Sequence, residues 1–418
     1  MRVAVIGAGA AGLASARHCK SKGFSCDVFE LRPELGGTWV YTDDVGTDEY
    51  GFPVYSAMYK GLRTNLPKEV MGFMDFPVPK EKRSYLPRQE ILDFLNQYAD
   101  EFGLRPLMKF NSMVTDISPL ENDRWQVTYV NKPTKEIIVD KYDAVMICNG
   151  HYNDPVIPKI EGQDKFTGKI EHSCTYRCPE PYEGKRVLVV GAGPSGLDVT
   201  LHMARVAETV AFSHHSEEAR NSPFPKNVQQ KPDIKRIISS DEVEFVDDTC
   251  CGFDVIIFCT GYNYSFPFLN ESCGIRIDDN YIQPLYKHMI NICKPTMCFI
   301  GVPFNVCTFM MFDLQAHYFS KVLDGSLRLP STEEMEIETK KDMDARWAKG
   351  YTKRQAHMMG DIQEAYYEEL SEGAETFTIA PVYVKLRNLS VENLYKNLLN
   401  FREDEYQILD DDNYIKVA

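Results

Sequence analysis

Two glycine-rich turns, GAGAAG at Gly7–Gly12 and GAGPSG at Gly191–Gly196, are the stretches of this sequence best suited to bind and position a reactive group. In each, the first glycine permits a tight turn and the second lets backbone approach a pyrophosphate. The third lets the following helix pack closely on the preceding strand. A helix N-terminus carries roughly half a unit of positive charge and presents free N–H groups to phosphate. Ala10, Ala11, Pro194 and Ser195 therefore join Gly7, Gly9, Gly12, Gly191, Gly193 and Gly196 as expected phosphate-facing positions. Two dinucleotide sites on one chain point to electron transfer between two cofactors.

The elements around the turns carry the signal, because a lone GxGxxG is weak evidence. RVAVI (Arg2–Ile6) and RVLVV (Arg186–Val190) read as buried parallel strands, and AGLASARHCKSKG and SGLDVTLHMAR as helices packed on them. The copies differ at one position. Glu30 ends the strand SCDVFEL, where an acidic side chain hydrogen-bonds a ribose. The same step downstream of Gly196 reaches His214, and the strand TVAFS leads into Ser213, His214 and His215 with no carboxylate. A carboxylate about 4 Å from a 2′-phosphate costs on the order of 1–4 kcal/mol, depending on screening. The first site thus excludes a 2′-phosphate and the second accepts one, which assigns FAD to the first and NADPH to the second.

The net charge of -15 and the lack of a basic stripe exclude nucleic acid as a partner. Hydrophobic residues at 44% and charged residues at 26% are those of a soluble globular protein, with room for two or three domains. The most apolar stretch, Cys298–Phe312, is too short and too interrupted to span a bilayer, so no membrane anchor is expected. The N-terminus enters the first strand almost directly, which points to a soluble cytoplasmic protein, or an extracellular one if a leader preceded this numbering. The twelve cysteines show no metal-finger spacing and read as free core thiols, so no metal is expected. None lies between Cys26 and Cys148, where a flavoprotein disulfide reductase needs its redox pair, which argues against that class.

The organisation reads as nested: an α/β fold of two Rossmann-like dinucleotide-binding domains, with the NADPH domain inserted into the FAD domain. Residues 1–156 are expected to form the first part of the FAD domain, 157–264 the NADPH domain, and 265–418 the second part of the FAD domain with C-terminal helices. An amphipathic helix is predicted from about Arg88 to Phe102, and strands around Met113–Ile117, Trp125–Tyr129 and Glu136–Asp140. DAVMICNG and FDVIIFCTGY read as buried strands ending in glycine where the chain crosses between domains. From Ser331 onward, EEMEIETKKDMDARWAKG and DIQEAYYEELSEG read as mostly solvated helices.

Between the domains, Phe166, Gly168, His172 and Tyr176 fit FxGxxxHxxxY, and here the chain resembles the flavin-containing monooxygenases. The resemblance covers most of the sequence and is nearest to the short insect members, a group that includes pyrrolizidine alkaloid N-oxygenases. It implies that LRPELGGTW, with Gly37, Thr38 and Trp39, is a second FAD loop. It also implies FAD contacts at Thr64, Asn65, Val114 and Gln315, with Asn65 facing the isoalloxazine and the nicotinamide as the catalytic amide. Where the family commonly grips the 2′-phosphate with arginine, this chain has His215, with Arg220 five residues on. A neutral histidine donates one hydrogen bond and no full charge, which weakens the preference over NADH.

The resemblance further implies a reaction. NADPH reduces FAD, the reduced flavin takes up O2 as co-substrate to give a C4a-hydroperoxyflavin, and its distal oxygen passes to a small soft nucleophile such as a tertiary amine, an alkaloid or a sulfide. It also carries an expectation of self-association into a homo-oligomer. Two alternatives stand beside it: an NADPH oxidase or reductase of the same fold, and a redox-sensing nucleotide-binding protein without turnover.

Overall fold

The computed structural model describes residues 1–417. The strand Arg2–Ile6 is apolar along its length because both of its faces are covered. Val3 and Val5 cluster with Leu13 and Ala14 of helix α1 (Ala10–Ser21), while Ala4 and Ile6 join Val114, Trp125, Val127 and Tyr129 on the opposite side. It lies within a seven-stranded sheet ordered Leu285–Tyr286, Ile290–Asn291, Met297–Phe299, Ala144–Ile147, Arg2–Ile6, Ser25–Phe29, Met108–Lys109. The last five are parallel to one another, and the pairings from Leu285 through Met297 are antiparallel. Helix α2 (Arg88–Glu101) buries Ile91, Leu92, Phe94, Leu95, Tyr98 and Ala99, a single stripe at helical spacing, and Phe102 caps it. The three strands expected after it form an antiparallel sheet of Ser112–Pro119, Trp125–Asn131 and Ile137–Tyr142.

The second sheet is all parallel: Val228–Lys231, Thr209–Ser213, Arg186–Val190, Val255–Phe258, Lys169–His172. Helix α3 (Pro194–Met203) covers one face through Leu197 and Met203. A small antiparallel sheet supplies Ile237, Val243 and Phe245 to Leu188, Ile256 and Phe258 on the other face. The short helix α4 (Glu217–Arg220) follows the second strand. All five strands fall between Lys169 and Phe258, whereas the first sheet draws strands from both sides of that stretch. The second Rossmann-like unit is therefore an insertion in the first. The chain leaves and returns through an antiparallel pair, Asp154–Pro155 with Tyr262–Asn263.

Helix α5 (Thr308–Leu323) packs on α1 and buries Phe309, Met310, Met311 and Leu314, so the apolar segment before and within it is core. Helix α6 (Thr332–Ala348) opens with a capping box between Ser331 and Glu334 and buries only Met335, Met343 and Arg346, as a solvated helix should. Helix α7 (Gln363–Gly373) departs from the solvated expectation: Gln363, Tyr366, Tyr367, Leu370 and Ser371 form a buried stripe against α5. Their polar tips made the stripe look hydrophilic, yet the Tyr367 hydroxyl accepts from the Cys307 N–H (2.9 Å) and donates to Gln363 Oε1 (3.0 Å). Helix α8 (Pro381–Lys396) buries Val382, Val384, Leu386, Arg387, Ser390 and Leu394. Among the described residues no helix is long and apolar enough to cross a membrane, and no cluster of His, Cys, Asp or Glu is placed to hold a metal ion. All twelve cysteines are free, and burial pushes the Cys148, Cys259 and Cys307 thiols up to about 12, which removes them as nucleophiles.

Candidate functional site

The two glycine turns are built alike, and their glycines divide into two kinds. A Cβ on Gly12 would lie 1.8 Å from the Gly7 carbonyl oxygen, and one on Gly196 would lie 1.7 Å from that of Gly191. These positions are glycine because helix and strand meet there. The first glycines press on the strand endings noted in the sequence: a Cβ on Gly7 would meet the Cys148 carbonyl oxygen at 2.5 Å, and one on Gly191 that of Cys259 at 2.6 Å. The repeated Cys-x-Gly endings are thus the walls against which both turns pack. The middle glycines have no such reason. Gly9 and Gly193 have extended backbone open to any residue (φ -77° and -72°). A Cβ on Gly193 meets nothing within 4 Å, and one on Gly9 meets Gly37 Cα only at 3.4 Å. No side chain caps either helix, and neither has an acid in its first turn. Open space at a bare helix N-terminus is what a bound pyrophosphate requires, so these residues fit the two dinucleotides.

Around the first turn the structure gathers most of the expected FAD positions. Glu30 is buried, and its two carboxylate oxygens accept the N–H groups of Ala8 (2.8 Å) and Arg32 (2.9 Å). Burial pushes its pKa up, while those hydrogen bonds and the charges of Arg32 and Lys132 oppose the rise. A carboxylate has about four lone-pair sites, so ribose hydroxyls still find acceptors. The Ser112 N–H donates to the Glu30 carbonyl (2.8 Å), which brings the strand carrying buried Val114 alongside. Gly36 donates to the Ala8 carbonyl (2.9 Å), so the turn of Gly37, Thr38 and Trp39 lies directly on the glycine turn. The Trp39 ring meets Phe309 edge-on at 6.5 Å.

Thr64 and Asn65 are held from far along the chain. Thr64 is buried, its hydroxyl accepts the Leu86 N–H (3.0 Å), and its carbonyl accepts Arg402 Nε (3.0 Å). The Asn65 carbonyl accepts the Ser390 hydroxyl (3.0 Å), while its side-chain amide is half-buried and makes no hydrogen bond among the described residues. Gln315 is different. It is fully buried, its Oε1 accepts the Gly301 N–H (2.9 Å) and its Nε2 donates to the Tyr366 hydroxyl (2.7 Å). The amide acts as a brace between α5, α7 and the Gly301 turn.

At the second turn the candidate 2′-phosphate groups are already partnered. The Ser213 hydroxyl donates to the Pro232 carbonyl (2.8 Å), and His214 Nε2 lies 3.0 Å from Gln230 Oε1 with Nδ1 buried and unpartnered. His215 and Arg220 are exposed, each beside a carboxylate: Asp233 at 3.0 Å and Glu217 at 2.9 Å. The linker motif is structural. His172 Nδ1 accepts the Cys174 N–H (3.2 Å), which leaves Nε2–H to donate to the Gly261 carbonyl (3.1 Å) and ties the edge strand Lys169–His172 of the second sheet to the turn before the returning strand. Burial lowers the His172 pKa, in keeping with this neutral tautomer. The buried Tyr176 hydroxyl meets His202 of α3 at 2.9 Å.

Sequence reasoning missed Ser390, Tyr395 and Arg402, which reach this region from the C-terminal part of the chain. The Tyr395 hydroxyl donates to the carbonyl of Ala192 in the second glycine turn (3.3 Å). No local pattern marks these residues, since their partners lie hundreds of positions away.

A family profile described as flavin-binding monooxygenase-like matches residues 1–224 and 216–389. Senecionine N-oxygenase of Tyria jacobaeae is 36% identical over 422 residues, covering 99% of this chain and 91% of the relative. The flavin-containing monooxygenase FMO GS-OX-like 4 of Arabidopsis thaliana is 36% identical over 384 residues, covering 87% of this chain and 85% of the relative. The solved structure of S-allyl-L-cysteine S-oxygenase from Allium sativum superposes with a TM-score of 0.91 at 33% identity, covering 97% of this chain and 95% of that one. With the paired glycine turns, the inserted second unit and matches of this extent, the chain belongs to the flavin-containing monooxygenase family.

Proposed function

We propose that this enzyme uses NADPH and O2 to transfer one oxygen atom to the nitrogen or sulfur of a small soft nucleophile, releasing NADP⁺ and water. FAD occupies the Gly7–Gly12 turn and NADPH the Gly191–Gly196 turn of residues 157–264. The observation that carries this reading is Gly193, a glycine with extended backbone where an added Cβ would meet nothing within 4 Å, together with Gly9 in the matching place, where it would meet only Gly37 at ordinary contact distance. Relatives named for an N-oxygenation and an S-oxygenation support both choices of acceptor atom.

The bound flavin supplies the hard chemistry, accepting a hydride and activating oxygen. The chain's part is to bind, orient and shield. Glu30 selects a ribose without a 2′-phosphate at the first site. His215 and Arg220 meet the 2′-phosphate at the second, against the competing carboxylates of Asp233 and Glu217. Asn65 offers an uncharged amide that donates and accepts without titrating, so it can bond both flavin and nicotinamide and protect the activated oxygen against loss as peroxide without moving a proton. Ser390 and Tyr395 stand five residues apart on α8, roughly 7.5 Å along its axis. One contacts Asn65 and the other the second glycine turn, which supports placing the amide near the nicotinamide end.

The test is stoichiometry with isotope-labelled oxygen. With a tertiary amine or thioether, one label from O2 should enter the product per NADPH consumed, with little peroxide. NADPH consumption that yields only peroxide, whatever the nucleophile, would instead identify an oxidase on this scaffold.

A further inference from the structure

Asp198 lies on α3 in the second turn of the helix that begins at Gly193, and it is buried. Its carboxylate takes a fork from Arg402, Nη1 to Oδ1 at 2.7 Å and Nη2 to Oδ2 at 2.9 Å, and Oδ2 also accepts the Tyr59 hydroxyl at 2.6 Å. The same guanidinium donates from Nε to the carbonyl of Thr64, the residue before Asn65, at 3.0 Å. Arg402 is fixed in turn, because Arg63 Nη2 donates to its carbonyl at 2.6 Å and its guanidinium sits 4.7 Å from the Phe401 ring centre. One side chain from the end of the sequence thus bolts the helix of the second glycine turn to the loop that carries Asn65.

A buried ion pair is a poor device for stability alone, since well-packed apolar groups of similar volume often do as well. A bidentate guanidinium–carboxylate fork does what apolar packing does not: it fixes distance and angle together. We propose that the Asp198–Arg402 fork is the positioning element that sets the angle between the inserted unit and the flavin unit, and thereby aligns the nicotinamide with the flavin and Asn65. This rests on the assignment of NADPH to the second turn and of the amide role to Asn65. Arg402 and Asp198 touch no reacting atom; they act through Thr64, Asn65 and α3. Hydride transfer needs reacting atoms about 3–3.5 Å apart, and a displacement of about 1 Å costs on the order of 10²-fold in rate.

The experiment compares Asp198→Asn and Arg402→Lys with the parent enzyme by two readouts. The first is amide hydrogen exchange of the FAD-loaded protein without nucleotide. Exchange in the second glycine turn and in the loop at 64–66 should accelerate together, by about tenfold, while the first glycine turn keeps its protection and FAD stays bound. The second is anaerobic flavin reduction at saturating NADPH, which should slow by roughly 10- to 100-fold with a smaller change in NADP⁺ affinity. Acceleration confined to α3, or a reduction rate within about twofold of the parent, overturns the proposal. If Asp198→Asn does not fold, Arg402→Lys keeps the charge but not the fork and is read in the same way. Should the parent show no NADPH-dependent reduction, the functional reading falls, and the exchange comparison alone decides whether the fork couples the two segments.

Discussion

Replacing Gly193 with valine separates nucleotide binding from folding. An added Cβ meets no heavy atom within 4 Å, and the backbone there is extended, so the protein itself has room for the side chain. Losing glycine at the helix N-cap costs about 1 kcal/mol, and the reduced freedom of the unfolded chain returns about 0.4–1 kcal/mol, so stability should hardly change. The new side chain projects into the space assigned to the NADPH pyrophosphate. Loss of two charge-assisted N–H contacts at about 1.5–3 kcal/mol each gives roughly 3–6 kcal/mol. That corresponds to a dissociation constant raised roughly 10²- to 10⁴-fold. The assay is calorimetric titration with NADP⁺, with FAD content and the thermal midpoint as internal controls, since the first turn is untouched. A variant that holds FAD and binds NADP⁺ within about threefold of the parent would show that the second turn is not the pyrophosphate site.

Asn65→Ala should leave anaerobic flavin reduction within about threefold of the parent while diverting most consumed oxygen to peroxide, a loss of the order expected for one removed hydrogen-bond donor; an unchanged product yield per NADPH would displace the protecting role from this amide. Gln315→Leu strands the Gly301 N–H at about 1–3 kcal/mol, while the Tyr366 hydroxyl keeps its bond to the Lys287 carbonyl, so the thermal midpoint should fall by about 1–3 °C; an unaltered melting curve would mean the brace is dispensable. Asp233→Asn removes the carboxylate beside His215 and should tighten NADP⁺ about two- to fivefold with no effect on NAD⁺, a difference to be read by parallel titrations; equal changes for both nucleotides would place the 2′-phosphate elsewhere. Burial holds His151 and His317 down to about 4, and it lowers His288 and His357 as well. The unfolded chain takes up protons near pH 6.5 and the folded chain does not, so stability is full above about 6.5 and falls toward pH 4. His317→Gln should flatten that fall in the thermal midpoint, and a midpoint independent of pH across the window would contradict it.

The residues that could be read from sequence are those whose constraint is local. Gly7, Gly12, Gly191 and Gly196 are required by a turn and by a helix–strand contact within a few positions. The stripe of α2 and the alternation at Trp125–Tyr129 announce one buried face each. The stripe of α7 is hidden in the sequence because tyrosine, glutamine and serine bury when each polar tip finds a partner: Tyr366 and Tyr367 find theirs on other elements, while Gln363 and Ser371 find theirs within or beside the helix itself. The two-residue strands Leu285–Tyr286 and Ile290–Asn291 are too short to show any period. Ser213 and Gln315 bear side chains suited to cofactor contact, yet Pro232, Gly301 and Tyr366 use their hydrogen-bonding atoms, a choice made by tertiary packing. Arg402 carries no local mark at all, since its meaning arises only when Thr64 and Asp198 come to it.

The nesting of one sheet inside the other also orders events on the ribosome. Every strand of the inserted sheet has been synthesised once Phe258 emerges, while the outer sheet still lacks Met297–Phe299, which must pair with Ala144–Ile147. Domains fold as units and contacts distant in sequence form late, so the inserted unit matures first, suspended within a still open outer unit. Closure of the outer sheet waits for strands that arrive after the insertion is complete. The fork of Arg402 on Asp198 comes later still, a latch that cannot close until Arg402 itself has been made.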